Sequence, residues 1–245
     1  MIPKIIHYCW FGGKPLPEYA KKCIASWKKY CPDFKILEWN EANFDVNSNK
    51  YCSEAYKAKK YAFVSDYARF VILYKYGGCY FDTDVEIIKP LNHILSKGPF
   101  FGCENWAIEG KVACKLRVAP GLGMACGPGN KFYKQMLDIY ETLSFYNTDG
   151  SLNMETIVSY TTDILREKGL KDVDEIQCID GIYIYPKDFF CPIDHVNNLI
   201  LTDNTVSIHN YAGSWLPESQ KLKTRIIKLL GARVWNLVLK LRGLK

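Results

Sequence analysis

Apolar positions along this chain repeat with two periods. Residues 4–11, KIIHYCWF, form a compact apolar run that ends on the turn signal FGGKPLPE, which predicts a first strand. Tyr19, Cys23, Ile24, Trp27 and Tyr30 then follow helical spacing up to Pro32. FKILEW, residues 34–39, predicts a second strand, and residues 40–52 are polar and loop-like. The longest helical pattern spans residues 53–78, with Ser53 as N-cap and Gly77-Gly78 as the stop. CYFDTDVEII at 79–88 and GPFFGCE at 98–104 predict further strands. Residues 131–145 and 154–168 predict helices, and IYIYP and TVSIHNY predict late strands. Strands alternate with amphipathic helices, so the expected architecture is α/β, a mixed and mainly parallel sheet flanked by helices. No internal repeat, low-complexity tract or Gly/Pro/Ser-rich linker divides residues 1–218, which are expected to form one domain.

Composition narrows this picture in three ways. The chain has 245 residues, of which 17 are Tyr and 6 are Trp, enough aromatic surface for a well-packed core and for stacking on flat or sugar-like ligands. Its ten cysteines form no C-x-x-C and no zinc-finger spacing, so reduced and buried thiols are expected. The net charge of +6 is local: residues 221–245 hold eight Lys/Arg and no acid, and the other 220 residues hold 24 basic and 26 acidic side chains, net −2. A near-neutral body argues against nucleic acid as a partner. No apolar run approaches the ~18 residues of a membrane span, and no secretory leader pattern opens the chain, so a cytoplasmic location is expected.

The chemistry concentrates in YKYGGCYFDTDVEI, residues 74–87. Two carboxylates, Asp82 and Asp84, interrupt an apolar and aromatic run. Read as a strand, positions i and i+2 face the same way, so the two address one point in space. Two such carboxylates repel and are costly to bury, and a divalent cation with a preference for oxygen, Mg²⁺ or Mn²⁺, removes both penalties. The helical stretch upstream carries Asp66 and Arg69 at i, i+3, on one face, with Gly77-Gly78 allowing a tight reversal towards the carboxylates. A solvated turn for the aspartates and a structural ion pair for Asp66–Arg69 are the plainer alternatives.

IPKIIHYCWFGG at the start, SDYARFVILYKYGGCYFDTDV in the middle and IHNYAGSW near the end resemble the D-x-D glycosyltransferases of family 32, and more distantly the large glucosylating toxins. The blocks occur in the family's order between about residues 2 and 216. The resemblance implies a GT-A-type, Rossmann-like fold, a nucleotide-sugar donor (UDP-sugar preferred) and Mn²⁺ or Mg²⁺. Residue by residue, it implies that Trp10 stacks on the base and that Asp66 and Arg69 hold sugar hydroxyls and phosphate. Tyr80 would pack near the donor, Asp82 would contact ribose or sugar and touch the metal through water, and Asp84 would bind the metal directly. His209 would be a further metal ligand, with Ser214 and Trp215 over the diphosphate. His7 reads instead as a satisfied core histidine. The resemblance also implies retention at the anomeric carbon and a glycan or lipid-linked glycan acceptor, as in capsular or extracellular polysaccharide synthesis. Glu104, Asn105 and Trp106 are candidates for the acceptor side. The glycine-rich APGLGMACGPGN matches no phosphate-loop pattern and suggests close backbone packing.

Two rivals stand beside this reading. FDTDV also fits the nucleophile motif of haloacid-dehalogenase-type phosphatases, although no later Asp-Asp pair follows. A non-catalytic nucleotide-sugar-binding module would keep the same motifs, and metal-dependent turnover separates it from an enzyme. Residues 219–245 predict a basic amphipathic C-terminal helix, with Ile226, Ile227, Leu230, Val234, Leu237, Val238 and Leu241 at helical spacing. Its two readings are a peripheral anchor on an anionic inner membrane face and a helix packed on the body or on a second copy.

Overall fold

In a computed structural model, which describes residues 1–107, 114–193 and 198–213, the elements in chain order are as follows. β1 (Ile5–Cys9), α1 (Glu18–Tyr30) and β2 (Lys35–Trp39) come first, then α2 (Lys50–Lys57), α3 (Tyr61–Tyr76), β3 (Gly78–Tyr80) and β4 (Val85–Ile87). α4 (Asn92–Leu95), β5 (Phe100–Ala107) and β6 (Cys114–Val118) follow, and a 3-10 turn, Pro120–Leu122, leads into β7 (Met124–Cys126). The remainder is α5 (Lys131–Thr142), α6 (Ile157–Glu167), β8 (Gln177–Ile179), β9 (Ile182–Tyr185), α7 (Lys187–Phe190) and β10 (Ser207–His209).

The main sheet runs β2-β1-β3-β7-β5-β9-β8, with β6 on β5. β1 pairs in parallel with β2 and β3, and β5 with β9, while β7 is antiparallel to both β3 and β5. The five strands β2, β1, β3, β5 and β9 therefore point one way, and the sheet is mixed but mainly parallel, as expected. Successive side chains feed opposite layers. Cys79 and Phe81 join the core formed with α1, α4 and α7, while Tyr80 joins the core formed with α2, α3, α5 and α6. The result is a sheet covered on both faces, the usual setting of parallel strands. Among the described residues, no helix is long and apolar enough to cross a membrane. Nine described cysteines are unpaired and all but Cys178 are buried, as the reduced-thiol expectation required.

Two sequence expectations are corrected. The long helix over 53–78 is two helices. α2 starts from Asn49, whose side chain accepts from the Cys52 N–H, so Asn49 rather than Ser53 is the cap. The chain then turns through Lys59 at φ 57°, with the Lys60 N–H on the Ala55 carbonyl, and no glycine marks the break. The D-x-D stretch is not continuous strand either. β3 ends at Tyr80, β4 begins at Val85, and the Val85 N–H closes a turn onto the Asp82 carbonyl at 3.0 Å.

α3 is buried nearly all round through Phe63, Val64, Tyr67, Ala68, Phe70, Ile72 and Leu73. It is an interior helix, and burying Phe70 alone contributes about 1.5–3 kcal/mol. Gly77 ends it at φ 64°, where an added Cβ would sit 2.8–2.9 Å from Pro128 and Pro3. The Gly77 carbonyl accepts from Nε2 of the fully buried His7 at 3.0 Å, and His7 Nδ1 accepts from the Trp39 indole at 3.0 Å. An indole can only donate, so the imidazole is neutral with its proton on Nε2. Burial lowers its pKa to about 4, against the smaller upward pull of the Gly77 carbonyl. His7 is the core histidine the sequence suggested.

The β4–β10 ribbon stands apart from the main sheet. α1 holds it: the Trp27 indole donates to the Val85 carbonyl at 2.8 Å, and the Ile87 N–H donates to the Ser26 hydroxyl at 2.9 Å.

Candidate active site

Among the described Asp, Glu, Lys and Arg residues, only Asp66 and Arg69 are buried. Placing charges on an interior helix is expensive unless they are paired. Here Arg69 Nη2 lies 3.0 Å from Asp66 Oδ1 and 3.1 Å from Asp82 Oδ1, and Nε donates to the Ser65 carbonyl at 3.1 Å. The guanidinium carbon sits 4.7 Å from the centre of the Tyr80 ring, whose hydroxyl also donates to Asp82 Oδ1, at 3.0 Å. Asp66, Arg69, Tyr80 and Asp82 thus form one hydrogen-bonded unit. Burial raises the Asp66 carboxyl to about 6, with Arg69 acting against the rise and Asp82 adding to it.

Asp82 follows β3 at its carboxyl end, where the Asp82 N–H donates to the Gly121 carbonyl at 2.9 Å. Gly121 leaves room for the Asp82 carboxylate: a Cβ there would stand 2.0 Å from Asp82 Oδ2 and 3.4 Å from Arg69 Nη1. The close backbone packing expected of APGLGMACGPGN is this contact.

Asp84 lies across the turn. The antiparallel register of β4 and β10 sets His209 opposite Val85, which carries a residue from far along the chain to the neighbour of Asp84. His209 Nε2 is 3.1 Å from Asp84 Oδ1, and the Ala212 N–H donates to Asp84 Oδ2 at 2.9 Å. Burial favours a neutral Asp84, but the His209 charge and hydrogen bond and the Ala212 amide outweigh it and hold the carboxyl below its ordinary range. Burial likewise lowers His209, and Asp84, with Asp82 and Glu104 behind it, lifts it above the usual histidine value.

Ligand atoms of Asp82, Asp84 and His209 all lie within 4.8 Å of one another. An ion with bonds of ~2.1 Å needs only small side-chain rotations to engage such a set. Two carboxylates and one imidazole suit Mn²⁺ or Mg²⁺ and are unlike the thiolate-rich sets of structural zinc. His209 Nδ1 is buried without a hydrogen-bond partner, an orphaned polar atom on the same ring. The donor set therefore fits a divalent cation.

Trp10 follows β1, the parallel neighbour of β3, and so stands at the same end of the sheet as Asp82. It is partly buried, and its indole donates to the Lys14 carbonyl at 2.6 Å. Ser214 and Trp215 lie outside the described residues, as do residues 219–245. Sequence reasoning missed three participants. Ala212 acts through its backbone, and Gly121 through the absence of a side chain, so neither residue type announces a role. Tyr211 sits in the IHNYAGSW block without a carboxylate or imidazole to single it out. A polar cleft of about 350 Å³, lined by Lys115, Arg117, Ser159, Thr162 and Arg166 among others, includes none of the metal-set residues.

Residues 17–101, which hold α1 through the D-x-D turn, match the family model described as a glycosyltransferase sugar-binding region containing a DXD motif. Over those residues the chain is similar to the sugar-binding region of the DXD glycosyltransferases. It is 27% identical over 235 residues to an uncharacterized glycosyltransferase of Acanthamoeba polyphaga mimivirus, covering 91% of this chain and 87% of the relative. Inositol phosphoceramide mannosyltransferase 1 of Schizosaccharomyces pombe is 31% identical over 110 residues, 40% of this chain and only 33% of that protein. Among solved structures, the PaToxG glycosyltransferase overlaps 69% of this chain and 70% of its own at 21% identity and a TM-score of 0.49. A glycosyltransferase involved in glycosylation of the major capsid of PBCV-1 overlaps 89% and 97% at 13% identity and a TM-score of 0.44. These similarities are to glycosyltransferases, in keeping with the enzyme reading of the D-x-D.

Proposed function

We propose that this glycosyltransferase is metal-dependent and moves a sugar, with retention, from a nucleotide-sugar to a glycan or lipid-linked glycan acceptor in polysaccharide biosynthesis. The observation that carries the proposal is the convergence of Asp82, Asp84 and His209 beside the buried Asp66–Arg69 pair. Asp84 and His209 would hold the cation, and Asp82 would complete the set while its Oδ1 stays on Arg69 and Tyr80. When bound, Mn²⁺ or Mg²⁺ supplies Lewis-acid stabilisation of the charge that grows on the leaving diphosphate.

The chain's own groups do the positioning. Asp66, locked by Arg69, presents a carboxylate to sugar hydroxyls. Arg69 uses Nη2 and Nε on protein partners, and Nη1, facing Gly121, is the nitrogen that meets the donor phosphate or sugar. A guanidinium fixed before the donor arrives needs no reorganisation as charge develops. Trp10 stacks on the base, and Ser214 and Trp215 cover the diphosphate and exclude water. No carboxylate is assigned as a covalent nucleophile, so substitution on the front face of the sugar is the default route.

UDP-sugars are the preferred donors, and the mannosyltransferase names of the fission-yeast relatives put a mannose nucleotide-sugar in the same panel. We further infer that the basic segment 221–245 brings a cytoplasmic enzyme to an anionic inner membrane face, where a lipid-linked acceptor sits. The test is a nucleotide-sugar panel with and without Mn²⁺, reading released nucleoside diphosphate. Metal-dependent release that Asp84→Ala abolishes supports the proposal. Binding of a donor with no turnover on any acceptor would favour the non-catalytic sugar-binding module instead.

A further inference from the structure

Tyr211 stands in the left-handed region at φ 46°, a conformation that side chains other than glycine rarely adopt. Such backbone persists only where surrounding contacts over-determine it. The contacts are specific. The Tyr211 hydroxyl donates to Glu104 Oε2 at 2.9 Å and lies 2.9 Å from Cys191 Sγ. Its ring meets His209 edge-on, with centroids 4.2 Å apart. The residues on either side both hold Asp84: the Asn210 N–H donates to the Asp84 carbonyl and the Ala212 N–H to Asp84 Oδ2, each at 2.9 Å.

Glu104 belongs to β5, which β6, β7 and β9 fix in the main sheet. The loop after β10 belongs to the separate two-stranded ribbon. Asp84 and His209 are thus both anchored on the ribbon side, while Asp82 is anchored on the main-sheet side through Arg69 and Tyr80. The three ligands share one ion only if ribbon and sheet keep their spacing. The Tyr211–Glu104 hydrogen bond spans that gap beside His209.

We propose that Glu104 and Tyr211 form a latch that positions His209 and the Ala212 amide against Asp84, and so sets the affinity of the Asp82–Asp84–His209 group for its divalent cation. The proposal rests on the metal reading given above. Neither residue touches the ion; both are positioning residues. Partners behind the metal ligands are commonly worth 10–100-fold in metal affinity.

The experiment is an electron paramagnetic resonance titration of free Mn²⁺ against the full chain, with no donor present, alongside a thermal melt. Tyr211→Phe keeps the ring and removes the hydroxyl, and Glu104→Ala removes the acceptor. Each is expected to weaken Mn²⁺ binding roughly 10-fold or more, and the double variant to be no weaker than the worse single one, because both cut one link. Glu104→Gln keeps an oxygen that accepts from the Tyr211 hydroxyl and is expected to recover most of the affinity. A purely structural role lowers the melting temperature of Tyr211→Phe without moving Mn²⁺ affinity, and that result overturns the latch. So does a Glu104→Gln variant as weak as Glu104→Ala, which would assign the effect to charge. Wild-type protein that binds no Mn²⁺ sinks the metal reading itself rather than the latch.

Discussion

Gly121→Ala tests the site with a single methyl group. The new Cβ would be 2.0 Å from Asp82 Oδ2 and 2.8 Å from its Cγ. A carbon and an oxygen in contact stand on the order of 3.3 Å apart, so the overlap exceeds about 1 Å. The cheapest relief is rotation of the Asp82 side chain, since that carboxylate is the free end of a flexible group and Gly121 is fixed by its carbonyl on the Asp82 N–H. Rotation breaks the contacts of Oδ1 with Arg69 at 3.1 Å and Tyr80 at 3.0 Å. Hydrogen bonds to a charged group are worth roughly 1.5–3 kcal/mol each, and overpacking costs typically 1–3 kcal/mol, part of which the rotation relieves. The fold is expected to survive with a loss of about 3–6 kcal/mol, set by the two hydrogen bonds. The site is expected to fare worse, because a displacement of about 1 Å in a positioned group costs on the order of 100-fold in rate. Urea denaturation and steady-state donor turnover, measured on one preparation, separate the two. A variant with wild-type turnover and wild-type Mn²⁺ dependence would refute the placement of Asp82 in the working site.

Four other expectations follow from the site, the core and the C-terminal segment. Arg69→Met leaves Asp66 and Asp82 without their shared cation and is expected to lose roughly 3–5 kcal/mol by urea denaturation; a loss under about 1 kcal/mol contradicts the buried pairing. Asp66 titrates at about 6 in the folded state, above its ordinary value of 3.8, so the native state binds the extra proton and stability falls as pH rises from about 4 to about 6. The contribution is roughly 3 kcal/mol at 1.36 kcal/mol per unit, and Asp66→Asn is expected to gain on wild type over that window. His7 has the opposite sign: its folded value of about 4 lies below 6.5, so its stability is present above pH 6.5 and lost as pH falls to about 4, and a His7→Asn variant removes that acid sensitivity. An Asp66→Asn difference with no slope between pH 4 and 6 contradicts the raised titration of the buried Asp66 carboxyl. Ending the chain after Glu218 is expected to abolish sedimentation with anionic liposomes and to leave donor hydrolysis intact; equal sedimentation removes the membrane role of the tail.

Most of the frame was legible because burial writes itself into periodicity. The strands at 5–9, 35–39 and 182–185 and the helices at 18–30, 131–142 and 157–167 follow the apolar pattern closely. The break between α2 and α3 was not legible, because Lys59 carries a positive φ that no glycine or asparagine advertises. The D-x-D looked like strand because its neighbours are aromatic and β-branched, yet the turn at Thr83 is what lets Asp82 face Arg69 while Asp84 faces His209. Asp66, Arg69, Asp82 and Asp84 stood out as charges among apolar residues. The arrival of His209 depends on a strand register between β4 and β10, a long-range pairing that spacing along one chain does not encode. Gly121 and the Ala212 amide act through backbone and empty space, which leave no side-chain signature.

The central claim is that Asp82, Asp84 and His209 meet on one cation, and anomalous diffraction tests it most directly. Crystals grown with Mn²⁺ and a nucleoside diphosphate are predicted to show a single strong manganese peak within bonding distance of Asp84 and His209, with Asp82 in its immediate shell. A peak elsewhere, or none at occupancy-saturating Mn²⁺, would contradict the account.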